Sequence, residues 1–208
     1  MGVLTDYGVV VGDGKVAKIF EKLFGEISFM AVKYDKPSDY VSQYWSAYQN
    51  YTDDEKSNNA NGKIFEYILS TLLIRENLVP YFVSAKIAFV PNVVYDITLF
   101  TPEMGPISLS AKTSLRERYK QADLESIALK YVHRRAKAFL ITNDLPESNA
   151  VKMKIKSGDV IGLDDVIYAQ SADFDNLIFE LKKFTYCHPG SVEIIQSSQM
   201  ITGQLISN

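Results

Sequence analysis

The stretch PISLSAKTSLRERYKQADLE, Pro106 to Glu125, decides how the chain around it is organised. PISLSA is rich in strand-forming residues, and Ser114 with Glu117 matches the S/T-x-x-E pattern of a helix start, predicting a helix from Ser114. Four cations, Lys112, Arg116, Arg118 and Lys120, crowd into nine residues at this strand-to-helix junction. Extending the count to Lys137 adds Lys130, Arg134, Arg135 and Lys137, giving eight cations against Glu117, Asp123 and Glu125. That segment carries +5 in a chain whose total is −3, so the remainder carries −8. Such asymmetry is what a nucleic-acid cleft in an otherwise acidic protein produces; the bland alternative is a solvated helix face.

Upstream, NVVYDITLF (Asn92 to Phe100) and YFVSAKIAFV (Tyr81 to Val90) read as strands, and TPEMGP (Thr101 to Pro106) as the turn of a hairpin leading into PISLSA. Further back, KIFEYILSTLLIREN (Lys63 to Asn77) has helical periodicity, as do Val16 to Ile27 and Tyr40 to Tyr48. The polar run YTDDEKSNNANG (Tyr51 to Gly62) reads as a mobile loop. Downstream, the helix runs to about Arg135 and is followed by the strand AFLIT (Ala138 to Thr142). A helix near Ala150 to Lys156, a strand near Val166 to Ala169 and a helix near Phe174 to Phe184 come next, with an irregular or edge-strand tail after Pro189. This order predicts an α/β fold with a central mixed β-sheet flanked by helices. Residues 1–60 form an N-terminal helical segment and 61–208 the core, within a single structural domain.

The 208 residues are 47% hydrophobic and 12% aromatic, which excludes a largely disordered chain. No apolar run approaches the roughly 18 residues that span a bilayer, so no membrane association is expected. MGVLTDYGVVVGDGK lacks the basic and apolar regions of a secretory signal, and the expected location is cytoplasmic. Cys187 is the sole cysteine, and the two histidines, His133 and His188, are too few for a histidine-built metal site. Any metal would be held by oxygen, which points to Mg²⁺.

Asp96 interrupts the apolar strand VVYDITLF, where a lone carboxylate is costly unless paired or bound to metal. In a hairpin, Asp96 and Lys112 come side by side. Glu125, thirteen residues on, lies where a helix folding back would aim it at the strand ends. Two carboxylates holding Mg²⁺ beside a lysine suit phosphodiester hydrolysis, in which the cation polarises the phosphate and the ammonium offsets developing charge. Glu66, between Phe65 and Tyr67 on an apolar helix, is a further candidate. For Asp96 and Glu66 a purely structural role stays open. Arginine binds guanine O6 and N7 bidentately and glutamate accepts from the cytosine amino group, so Arg116-Glu117-Arg118 suits reading of G·C pairs. Lys120, Lys130, Arg134 and Arg135 are candidate phosphate contacts.

These residues resemble the PD-(D/E)XK nucleases, and more narrowly the type II restriction endonucleases that read CC…GG-type sites, the EcoRII and NgoMIV group. In that group the acid two residues before the catalytic lysine is commonly serine, and a glutamate on the next helix replaces it. Ser110-Ala111-Lys112 fits the altered motif, Glu125 the relocated acid, Asp96 the first carboxylate, Arg116-Glu117-Arg118 the base-reading cluster, and Glu66 the upstream helix carboxylate. Tyr95 stands where many relatives have proline. The resemblance implies a restriction-endonuclease-like fold and Mg²⁺-dependent cutting of double-stranded DNA. Asp96 and Glu125 would be the metal ligands, and the N-terminal helices a DNA clamp or dimer contact. It further implies a homodimer and a cognate DNA methyltransferase. A structure-specific repair or recombination nuclease, or a non-catalytic DNA-binding domain, are the alternatives.

Overall fold

The structure is a computed structural model and describes residues 2–12, 14–25, 27–51, 58–190 and 195–202. Four helices come first: α1 (Val3–Asp6), α2 (Lys15–Lys22), α3 (Pro37–Asn50) and α4 (Asn58–Arg75). Then come β1 (Tyr81–Ile87), β2 (Tyr95–Thr101), β3 (Gly105–Lys112), α5 (Arg118–Val132), β4 (Lys137–Thr142), α6 (Leu145–Ser157), β5 (Asp165–Tyr168) and α7 (Ala172–Leu181). Two short strands, β6 (Ile195–Gln196) and β7 (Gln199–Ile201), end the described chain. The strands form one sheet in the order β5-β4-β3-β2-β1-β6, with β7 also pairing β1. β3, β4 and β5 are parallel and the other pairings antiparallel, so the sheet is mixed.

Alternation along the strands divides the core in two. Ile97, Leu99, Ile107, Leu109 and Ala111 face a large cluster that also holds Tyr40, Tyr44, Phe65, Leu72 and Phe174, from α3, α4 and α7. The N-terminal helices enter the same cluster through Leu4, Ile19 and Phe20. Their connection is held further where Arg75 Nη1 donates to the carbonyls of Phe29 and Val32 at 2.5 and 2.9 Å. On the opposite face, Ala138, Leu140 and Val166 pack with Ala122 of α5 and Val151 of α6. The α/β class, the mixed sheet and the helical N-terminus are therefore as the residue pattern predicts.

Several boundaries differ for local reasons. The second strand begins at Tyr95 instead of Asn92, because Asn92 adopts φ 64° in the β1–β2 turn, a left-handed conformation that asparagine tolerates. The helix expected from Lys63 begins at Asn58, since Ala60 is buried and Asn61 Oδ1 accepts from Tyr48 Oη at 2.7 Å. The rest of the expected mobile loop, 52–57, lies outside the described residues. Among the described residues, no helix is long and apolar enough to cross a membrane.

Candidate active site at the end of the sheet

The β2–β3 register, with Ile97 opposite Leu109 and Thr98 opposite Ser108, carries Asp96 to the end of β3. There its Oδ2 accepts from the Ala111 amide at 2.8 Å and from Lys112 Nζ at 2.7 Å. Both side chains are only partly exposed, at 19% for Asp96 and 25% for Lys112, which shields the pair from the screening that weakens surface ion pairs. Ser110, two residues before Lys112 on the same face of β3, is buried.

Two more carboxylates, on helices packed against opposite faces of the sheet, feel the charges of Asp96 and Lys112. Glu66 on α4 accepts from Lys63 Nζ at 2.6 Å, one turn away. Burial raises its pKa above the usual glutamate range, the Lys63 hydrogen bond opposes this, and the Asp96 charge adds to the rise. Glu125 on α5 accepts from Gln121 Nε2 at 2.7 Å. Its pKa is also raised, by burial first and by Asp96 last, against the Gln121 hydrogen bond and the Lys112 charge. Asp96 and Lys112 thus act on both glutamates. In each of the three carboxylates one oxygen is engaged, while the other makes no hydrogen bond among the described residues.

The height of Glu125 over the sheet is set by residues that the sequence pattern does not single out. Tyr95 Oη donates to the Glu125 carbonyl at 2.9 Å, tying α5 to the start of β2. Burial raises the Tyr95 pKa strongly and the Glu125 charge raises it further, so the phenol stays a donor. From the other side, Asp123 Oδ1 accepts the amides of Ile161, Gly162 and Leu163 at 3.1, 2.6 and 3.2 Å. A Cβ on Gly162 would lie 2.3 Å from the Asp123 carbonyl, so glycine is what allows this close approach. Tyr95 was legible only as a departure from proline, and Asp123 only as an anion among cations. Lys63, whose Nζ lies beside Glu66, carries no motif that would have marked it.

Among the described residues, no three His, Cys, Asp or Glu side chains form a group that could hold a metal ion by themselves. Mg²⁺ is commonly held by one or two carboxylates, with water and substrate phosphate completing the shell. The free oxygens of Asp96 and Glu125 fit that donor set, and a closed zinc-type cage is not what these residues build.

The base-reading candidates are placed differently from the expectation. The Ser114–Glu117 capping box does not form. Helix α5 starts at Arg118, Glu117 is its N-cap without a side-chain cap bond, and the Glu117 carboxylate pairs with Lys120. The non-helical backbone of Arg116 keeps residues 115–117 out of a first helical turn, and Glu147 of α6 takes the amides of Leu115 and, at 3.0 Å, Arg116. Arg116 sits in the turn at φ 37°, and the side chains of Arg116 and Arg118 are exposed without an ion pair among the described residues.

The phosphate candidates separate into three situations. Lys120 is exposed and paired with Glu117. Lys130 is held by Asp164 at 2.7 Å. Arg134 and Arg135 are exposed but lie past the C-terminal end of α5, some 20 Å along its axis from Arg118. In the β3–β4 register Ile107 faces Lys137 and Lys112 faces Thr142, so these two arginines sit at the opposite end of the sheet from Lys112. The positive segment is therefore not one continuous track.

No family model and no curated sequence matches the chain. Among solved structures it is similar to the restriction endonuclease PspGI in its complex with substrate DNA. The two are 16% identical over 86% of this chain and 79% of that one, with a TM-score of 0.49. At that distance the likeness carries no residue role to this chain.

Proposed function

We propose that the protein is a Mg²⁺-dependent, sequence-specific endonuclease of the type II restriction kind, cutting double-stranded DNA at a short CC/GG-containing site. The observation that carries this is the Asp96–Lys112 pair at the ends of β2 and β3, whose charges act on Glu66 and Glu125, with the exposed Arg116 and Arg118 four and six residues after Lys112. Asp96 and Glu125 would hold the cation, which when bound supplies Lewis-acid activation of water and phosphate. Asp96 holds the Lys112 ammonium in place, so its charge is aimed before substrate arrives and costs no reorganisation when the phosphate gains negative charge. Ser110 would stand near the phosphate, and Glu66 with Lys63 would border it on the other face. Arg116, Glu117 and Arg118 would read the G·C pairs.

A twofold-symmetric site is most simply read by a homodimer, each subunit cutting one strand. In a restriction role, a DNA methyltransferase of matching specificity would protect host DNA. Incubating the protein with a long duplex and Mg²⁺, then sequencing the ends, tests the proposal. Discrete ends sharing one CC/GG-containing motif support it. A smear favours a structure-specific or non-specific nuclease, and intact DNA from folded protein sinks the enzyme assignment.

A further inference from the structure

Helix α6 opens with Asp144, whose side chain caps the Glu147 amide at 2.9 Å, so the backbone of Glu147 is fixed at its own helix start. A carboxylate in the first turn ordinarily serves its own helix. This one instead reaches a segment more than thirty residues upstream: Oε2 accepts the Leu115 amide and Oε1 the Arg116 amide. The segment it grips is the five-residue connection between Lys112 of β3 and Arg118 of α5. Leu115 is fully buried in the cluster beneath α5 and α6, while Arg116 and Arg118 point to solvent.

Arg116 has φ 37°, a conformation that side-chain-bearing residues adopt only when their surroundings impose it. The buried Leu115 and the two-amide grip of Glu147 are what impose it here. The turn therefore leaves β3 at a fixed angle and sets two exposed arginines four and six residues after Lys112. Glu147 satisfies the backbone and leaves both guanidiniums unpaired.

We propose that Glu147 is a positioning residue for DNA reading: it locks the 113–117 turn so that Arg116 and Arg118 meet base edges in one orientation. This rests on the arginines being the base-reading groups. Bidentate recognition of guanine is geometric, whereas attraction to phosphate needs only charge. Releasing the grip should therefore damage sequence choice and spare non-specific binding, a split that loss of folding does not produce.

The test uses full-length Glu147→Ala and Glu147→Gln. Amide hydrogen exchange, read without DNA, should show Leu115 and Arg116 protected in the wild type and exchanging about tenfold faster or more in Glu147→Ala, with β3 and the middle of α5 unchanged. End sequencing of the cut long duplex should show discrimination against single-base variants of the wild-type site falling about tenfold, within the range of one lost bidentate contact. Binding to a scrambled 20-bp duplex at low salt should stay within about twofold. Glu147→Gln keeps one carbonyl acceptor, gives intermediate values, and carries the test if the alanine variant does not fold. Unchanged exchange shows that the grip is absent in solution, and freed amides with an unchanged cutting profile show that it is only structural; either overturns the proposal. A wild type that cuts without sequence preference removes the role of the arginines and the positioning role with it. The exchange data distinguish that result from failure of the grip itself.

Discussion

The two ends of helix α5 carry similar runs of cations and differ in what a distant carboxylate does to them. At the C-terminal end, Asp164 accepts from Lys130 at 2.7 Å, Lys137 at 3.0 Å and the Ala138 amide at 2.8 Å, so two ammonium groups share one acid. At the N-terminal end, Glu147 arrives from α6 and takes backbone amides instead, leaving Arg116 and Arg118 free in solvent. Each end still keeps two exposed arginines outside any ion pair among the described residues, Arg116 and Arg118 at one and Arg134 and Arg135 at the other, so what separates the ends is their place relative to Lys112. Where the acid binds ammonium, the cations hold the fold together. Where it binds backbone, it shapes the turn that carries the arginines.

The sharpest way to test the functional end is Lys112→Ala. Removing one preorganised charge at a reacting phosphate lowers turnover by roughly 10²–10³-fold. Binding to the cut site should survive, because Arg116 and Arg118 are untouched. Gel-shift binding alongside single-turnover cutting separates the two, and a variant that cuts at the wild-type rate dismisses the site.

The structural end is tested by Asp164→Asn. Hydrogen bonds to a charged group contribute about 1.5–3 kcal/mol each side of a partly buried pair, so denaturant titration at pH 7 should show a loss in that range. Burial pushes the Asp164 carboxyl up, but Lys130, the Ala138 amide and Lys137 together hold it below the usual aspartate range. A carboxyl depressed on folding adds stability that is present above its unfolded pKa, near 3.9, and lost as pH falls through the folded value. The gap between wild type and Asp164→Asn should therefore be full at pH 7 and close below about pH 4. A gap that persists unchanged in acid would mean that the charge is not what stabilises this end. Cutting specificity should not change.

What could be seen in the residue pattern follows the same division. Asp96 beside Lys112 was legible because a hairpin register is set by local pairing; for Glu125 the pattern offered only a helix able to reach back, and the charges of Lys112 and Asp96 do act on it. The Ser114–Glu117 box was misleading for a physical reason. A capping box needs helical backbone over the residues it encloses, and Arg116, between the buried Leu115 and the Glu147 grip, has φ 37° instead. Nothing local to RER marks Glu147, and nothing local to Lys130 marks Asp164, since both partners come from segments about thirty residues away that meet only once β4 has paired with β3. The short helix α1 was missed because four residues carry too little periodicity to register.

Next below those two variants in effect comes Arg116→Ala. It should cost about 1–3 kcal/mol of discrimination between the cut site and a single-base variant, with little change in thermal stability because the side chain is exposed and unpaired. Competition binding with the two duplexes reads this directly. An unchanged preference would remove Arg116 from base reading and leave its left-handed turn without a functional account.

The smallest expected effect bears most directly on the comparison. Arg134 and Arg135 are as exposed as Arg116 and Arg118, yet they stand at the far end of α5 and of the sheet. The double variant Arg134→Ala, Arg135→Ala should leave the cutting profile and the rate at the best site unchanged, and shift stability by no more than about 0.5 kcal/mol. If these arginines touch no phosphate, the dependence of binding on salt should keep its slope, because that slope counts the phosphates neutralised. A slope shallower by one or two would show that the duplex extends along the whole of α5. The far end would then be part of the interface, and position relative to Lys112, not freedom from an ion pair, would no longer separate the two ends.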